Sequence, residues 1–106
     1  TGQPLREFMH VDDLADACVF VMKHYSDAMP INAGSGDEIS IANFAALVAK
    51  VVGFNGKITN DLTKPDGTMR KLMDSSRLNA LGWKPKSTLE EGLRETYLNL
   101  SKSDIL

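Results

Sequence analysis

Ser40-Ile41-Ala42-Asn43-Phe44-Ala45-Ala46-Leu47-Val48-Ala49-Lys50-Val51-Val52-Gly53 is the stretch on which the fold turns. Ile41, Phe44, Ala45, Val48, Val51 and Val52 recur at spacings of three and four, and Leu47 widens the stripe, which predicts an amphipathic helix. Ser40 supplies the N-cap, and Gly53 ends the helix because glycine tolerates the left-handed backbone of a C-terminal stop. One apolar stripe must lean on a second layer, so the flanking segments decide what that layer is.

Upstream, Leu5 to Val11 reads as a short extended stretch anchored by Leu5, Phe8 and Val11. Asp12 and Asp13 offer an N-cap and an acidic first turn for a helix over about 13–25. Leu14, Ala17, Cys18, Val21, Met22 and Tyr25 are its expected buried stripe. Cys18 reads as a small buried hydrophobe; the alternative, a catalytic thiol, lacks an activating base nearby. Met29-Pro30-Ile31-Asn32-Ala33 predicts a brief strand ending in the turn Gly34-Ser35-Gly36, and Ile39 an extended pairing residue.

Downstream, Asn55-Gly56 marks a turn, and residues 57–61 alternate enough for another short strand. Lys64-Pro65-Asp66-Gly67-Thr68-Met69-Arg70-Lys71 then combines turn chemistry with Lys64, Arg70 and Lys71. Such a turn is either a solvated connector or a cradle for an anion, phosphate first, since arginine offers a fork of donors and lysine a point charge. Asp74 and Ser75 cap a short helix through Arg77, Leu78 and Leu81 to Gly82. Trp83 beyond it reads as a packing plug, with base stacking the alternative. After Pro85, Ser87 and Glu90 stand at capping-box spacing before a last helix with apolar Leu89, Leu93, Tyr97 and Leu100, and residues 101–106 read as a frayed tail.

The whole is α/β (α+β): one small mixed domain over residues 1–106, with about four helices and two to three short strands. A chain of 106 residues, 42% hydrophobic, supports a single modest core. Its 12 basic and 14 acidic residues give a net charge of −2, which disfavours nucleic acid as a partner while leaving room for one local anion site. One cysteine cannot form an internal disulfide, and no run approaches the roughly 18 apolar residues of a membrane span. A cytoplasmic setting follows as the expectation. The opening Thr1-Gly2-Gln3-Pro4 lacks Met and reads as mid-loop, which predicts a piece of a longer protein.

Complete catalytic machinery does not emerge from the residues. His10 and His24 are the two histidines, and neither stands at metal-ligand spacing with the cysteine. His10 reads as making a structural hydrogen bond and His24 as exposed. The pair Gly34 and Gly36 lacks the third glycine, opening a helix, of a dinucleotide fingerprint.

Three stretches together resemble a family. Arg6-Glu7-Phe8-Met9-His10-Val11-Asp12-Asp13-Leu14-Ala15 resembles the R-E-F-x-H-V-D-D-x-A segment of nucleotide-sugar enzymes of the extended short-chain dehydrogenase/reductase family (NAD-dependent epimerase/dehydratases). Ile31-Asn32-Ala33-Gly34-Ser35-Gly36 with the helix after it resembles the segment that follows there. Lys64 to Asp74, with Arg77-Leu78 and Leu81-Gly82-Trp83, is similar to the GDP-L-fucose synthase branch, although Met69 stands where that branch commonly has proline.

The resemblance implies the C-terminal, substrate-binding portion of an enzyme for a GDP-sugar. The parent converts GDP-4-keto-6-deoxymannose to GDP-L-fucose, epimerising C3 and C5 and then reducing C4 with NADPH. The residue matching Arg6 contacts the nucleotide diphosphate, and those matching Asp66 and Lys71 belong to the substrate site; Lys64 and Arg70 are candidates by proximity alone. The family's NADP-binding Rossmann domain, its Ser-Tyr-Lys residues and its Cys/His acid/base pair are missing from these residues, and Cys18 and His10 do not align with that pair. The family's tryptophan just before Arg6 is missing as well. The expectation is therefore no catalytic, cofactor or metal residue here, no NADP binding and no turnover by this chain alone. A stand-alone nucleotide-sugar-binding module and a structural fragment are the alternatives. A domain separated from a Rossmann partner is also expected to expose an apolar patch and to self-associate.

Overall fold

The computed structural model describes residues 1–103. In chain order the elements are β1 (Leu5–Glu7), α1 (Val11–His24), β2 (Glu38–Ser40), α2 (Ile41–Val52), α3 (Ser76–Ala80) and α4 (Leu89–Ser101). The strands pair antiparallel, with Leu5 opposite Ser40, Arg6 opposite Ile39 and Glu7 opposite Glu38. A single parallel bridge joins Leu5 to Arg70 on the other edge of β1.

The central helix forms where its pattern puts it. Ser40 Oγ accepts from the Asn43 amide at 3.1 Å, and Gly53 closes the helix at φ 73°. Phe8, just past β1, stacks on Phe44 at 3.9 Å between ring centroids, and α2 packs on α4. No residue of α2 is fully buried: its stripe is half-covered in the middle, and Ile41 and Val52, expected on the buried face, are exposed at its ends.

The dense part of the molecule lies elsewhere. Ala17, Leu78 and Trp83 form the buried cluster, with Met9, Phe20, Val21, Ile31 and Ala33 packed around it. Trp83 is the expected plug, and its indole N–H donates to Asp16 Oδ2 at 3.0 Å.

Helix α1 is rotated partway from its predicted orientation: Ala17 and Val21 of the expected stripe still reach the core. Asp13 and Ala17 face inward, while Leu14, Cys18 and Met22 face out, Met22 being 76% exposed. Cys18 is thus exposed and not a buried hydrophobe. The cause is polar: Asp13 accepts from the Lys86 and Ser87 amides at 3.1 and 3.2 Å, and Asp16 takes the indole and the Lys86 ammonium. These acids hold the helix against the loop before α4, because buried amides and an indole N–H must find acceptors. The N-cap also moves, since His10 Nδ1, and neither aspartate, accepts from the Asp12 amide at 3.2 Å. Val11, expected as a strand anchor, opens the helix and is exposed.

Two predicted strands do not form among the described residues, at 29–33 and at 57–61. A strand exists only with a ladder partner, and neither segment meets one, although Ile31 and Ala33 still turn side chains to the core. The capping box sits one residue later than predicted: Thr88 and Glu91 exchange bonds of 2.8 and 3.2 Å. Leu81 is exposed, and α3 starts at Ser76 without a side-chain cap from Ser75. Tyr97 and Leu100 are also exposed on α4. Of the tail expected to fray, Ser101 still belongs to α4 and residues 104–106 lie outside the described residues.

The molecule is open for its size. Its radius of gyration is 16.3 Å, against about 13 Å for a compact domain of this length. It exposes 7698 Å², about a third more than the usual scaling with mass gives. Val11, Leu14, Val19 and Met22 are among its exposed apolar residues, on the outer side of α1.

Candidate functional site

The predicted site residues fall around β1. Strand pairing fixes their faces, because side chains alternate across a strand. Leu5 and Glu7 share one face with their partners Ser40 and Glu38, while Arg6 and Ile39 occupy the other. Arg70, bridged to Leu5, lies on the Glu7 and Glu38 side, and there Glu38 takes its guanidinium in a fork of 2.6 and 2.9 Å. This pair raises the Arg70 pKa further above its already high value, chiefly through the hydrogen bond that Arg70 donates to Glu38. Arg70 is therefore an ion-pair partner and not a free cation.

The backbone of Leu5 donates to Met69 O at 2.8 Å, which lays the end of the basic turn along β1. Lys71 follows Arg70 and is exposed. The Arg6 guanidinium approaches the turn at Gly67, where a Cβ would stand 3.5 Å from Nη2. Arg6 Nη1 also donates to Leu5 O at 2.7 Å, which holds the side chain back along its own strand. Lys64 and Lys71 have no ion-pair partner among the described residues.

The turn itself is locally built. Asp61 accepts from Thr63 and from the Lys64 amide, and its carboxyl is held below the usual range chiefly by the Thr63 hydroxyl. Asp66 reaches across to Thr1, whose hydroxyl donates to its carboxylate. Arg6, Asp66 and the end of the basic turn are thus brought together, while Lys64 stays on the far arm of the turn.

Glu7 is a residue the sequence reading passed over. Oε1 accepts from the Gly36 amide at 2.8 Å and the Ser35 hydroxyl at 3.5 Å, and Oε2 from the Met73 amide at 3.3 Å. The Gly36 amide, in the glycine turn, is thereby engaged. Acidic residues in a strand beside a basic one were the available signal, but their partners lie 29 and 66 residues away.

A cavity of about 610 Å³ opens between His10, Phe44, Lys86 and Leu93, and it touches none of Arg6, Asp66 or Lys71. It is the gap between α4 and the end of β1, and the cations, not the void, mark the candidate site. His10 is structural there: its side chain is 6% exposed and packs on Gly92, where a Cβ would come within 3.1 Å of it. Nδ1 already accepts the Asp12 amide, so the convergence of His10, Asp12 and Glu95 lacks a free imidazole lone pair at that nitrogen. His24 is exposed, resting against Phe20 at 4.4 Å. No helix among the described residues is long and apolar enough to cross a membrane.

Comparison with known proteins places this geometry. Residues 1–34 match the model of the NAD dependent epimerase/dehydratase family. The chain is 62% identical over 97 residues to a probable GDP-L-fucose synthase 1 of Oryza sativa subsp. japonica, covering 92% of this chain and 30% of that protein. A crystal structure of a GDP-6-OMe-4-keto-L-xylo-heptose reductase from C. jejuni superposes with a TM-score of 0.87 at 37% identity, covering 95% of this chain and 32% of the other. A GDP-L-fucose synthetase from Naegleria fowleri, bound to NADP, gives 0.89 at 25% identity over all of this chain and 35% of its own. The chain thus spans about a third of the length of the proteins it matches. By homology over most of its residues, the chain belongs to the NAD dependent epimerase/dehydratase family, alongside the GDP-L-fucose synthases.

Proposed function

We propose that this chain is the substrate-holding part of a GDP-sugar epimerase-reductase, with Arg6 and Lys71 as the cations for the diphosphate and Asp66 as an acceptor for ribose or sugar hydroxyls. What supports the reading is the lie of the basic turn along β1, which brings Arg6 near Gly67 while Glu38 takes Arg70; strand alternation from Arg70 would then put Lys71 on the Arg6 side. A diphosphate needs a fork and a point charge on one surface, and those two side chains are of the right kinds. Arg70 then serves the scaffold, and Lys64 is a peripheral charge. Asp66 would exchange Thr1 for a ligand hydroxyl.

In this reading the chain contributes binding and no proton-transfer or hydride chemistry. GDP-4-keto-6-deoxymannose, NADPH and a cofactor-binding Rossmann domain belong to the complete enzyme in the cytoplasm, where the exposed Cys18 stays reduced. The chain alone is inactive and takes up no NADP.

Calorimetric titration with GDP tests the proposal. The chain is expected to bind, with Arg6→Ala and Lys71→Ala each weakening GDP about tenfold at unchanged melting temperature. No heat at millimolar GDP removes both this reading and that of a stand-alone nucleotide-sugar module, and leaves a structural fragment. The apolar outer side of α1 predisposes the chain to pair with a second copy. Sedimentation should show a concentration-dependent dimer, and a monomer throughout would count against it.

A further inference from the structure

We propose that Glu7 is a positioning residue for ligand binding, a carboxylate that fastens the Lys71 segment to β1; the inference rests on the reading of Arg6 and Lys71 above. Its oxygens reach two segments remote from each other in sequence, the glycine turn through Gly36 and Ser35, and the strand-like run through the Met73 amide. The approach depends on Gly34, where any Cβ would collide with the carboxylate.

Glu38 stands directly across the ladder from Glu7. Two like charges in that register repel unless each is met by donors. Each is met from the same run: Glu38 by the Arg70 guanidinium and Glu7 by the Met73 amide. Lys71 lies between these two anchored residues. The run is held at both ends on one face of the ladder, so Lys71 is fixed toward the other, where Arg6 stands. Glu7 meets no ligand in this arrangement and acts through Lys71.

The test is a double-mutant cycle read by GDP titration of the chain, comparing Glu7→Gln, Lys71→Met and the two combined. Glutamine keeps the size but loses the charge that binds the amides. Glu7→Gln and Lys71→Met are each expected to raise the Kd about tenfold. The combined variant should stay within about twofold of Lys71→Met alone, because the second change frees a residue already removed. Penalties that multiply to about a hundredfold would assign Glu7 a purely structural role and overturn the inference. Unchanged affinity in Glu7→Gln, with Lys71→Met weakened, overturns it while sparing the diphosphate reading. Unchanged affinity in Lys71→Met, or no binding by the unsubstituted chain, overturns both. Should Glu7→Gln fail to fold by circular dichroism, Glu7→Asp in the same cycle decides. It keeps the charge, loses one methylene of reach and should show the same non-additivity at a smaller penalty.

Discussion

The cluster around Trp83 and the ladder around β1 use acidic residues in opposite ways. At Trp83, Asp13 and Asp16 are spent inward: they satisfy two amides, an indole and a lysine, and so lock α1 to the loop before α4. Along β1, Glu7 and Glu38 gather the backbone and guanidinium of one run, while Arg6 stands on the opposite face of the ladder, where the proposal also puts Lys71. The first arrangement closes a core. The second clears a surface, since acids that hold scaffold donors cannot neutralise the remaining cations. The contrast explains why the cations with a proposed role lie in the more loosely covered half of the molecule.

Three changes would break or sharpen this contrast. Trp83→Ala should have the largest effect, about 3–5 kcal/mol of lost stability, because it empties the only sizeable buried cluster among the described residues and takes the indole donor from Asp16. Chemical denaturation measures it, and a loss under about 1 kcal/mol would mean that the β1 ladder, not Trp83, holds the fold together.

Acidification comes next. The Asp16 carboxyl is held below its usual range, chiefly by the Trp83 indole and then by the Lys86 ammonium. Its folded pKa lies below the unfolded one, so its stabilisation is complete above the unfolded value of about 3.9 and fades as pH falls through the folded value. Melting temperature should therefore drop on acidification below about pH 4, and the drop should be shallower in Asp16→Asn. Parallel curves for the two proteins would assign the acid sensitivity to other carboxylates.

Arg70→Met should have the smallest effect. The Arg70–Glu38 pair is solvent-exposed on the arginine side, and such pairs contribute about 1 kcal/mol or less. GDP affinity should change by less than about threefold, because the backbone bond from Leu5 to Met69 O still holds that end of the run, set against the tenfold loss for Lys71→Ala. A larger loss for Arg70→Met would reverse the roles of the neighbouring cations.

Much of this was readable from the chain. Helix α2, its serine cap, its glycine stop and the Trp83 plug all follow from signals within a turn or two of each residue. The family resemblance is carried by contiguous runs such as Arg6 to Ala15 and Lys64 to Asp74, and the homology bears it out. The rotation of α1 was not readable. Leu14, Cys18 and Met22 make as good a stripe as the face that is buried, and the choice was made by the Lys86 and Ser87 amides some seventy residues on.

The sequence by itself determined where α2 begins and ends, which turn carries the basic residues, and to which family the chain belongs, because those properties reside in neighbours a few positions apart. Only the tertiary structure decided which cation is paired, which is free, and which acid holds the run between them. Arg70, Lys71, Glu7 and Glu38 differ in role through contacts made across 32 and 66 residues, and strand register, not composition, sets those contacts.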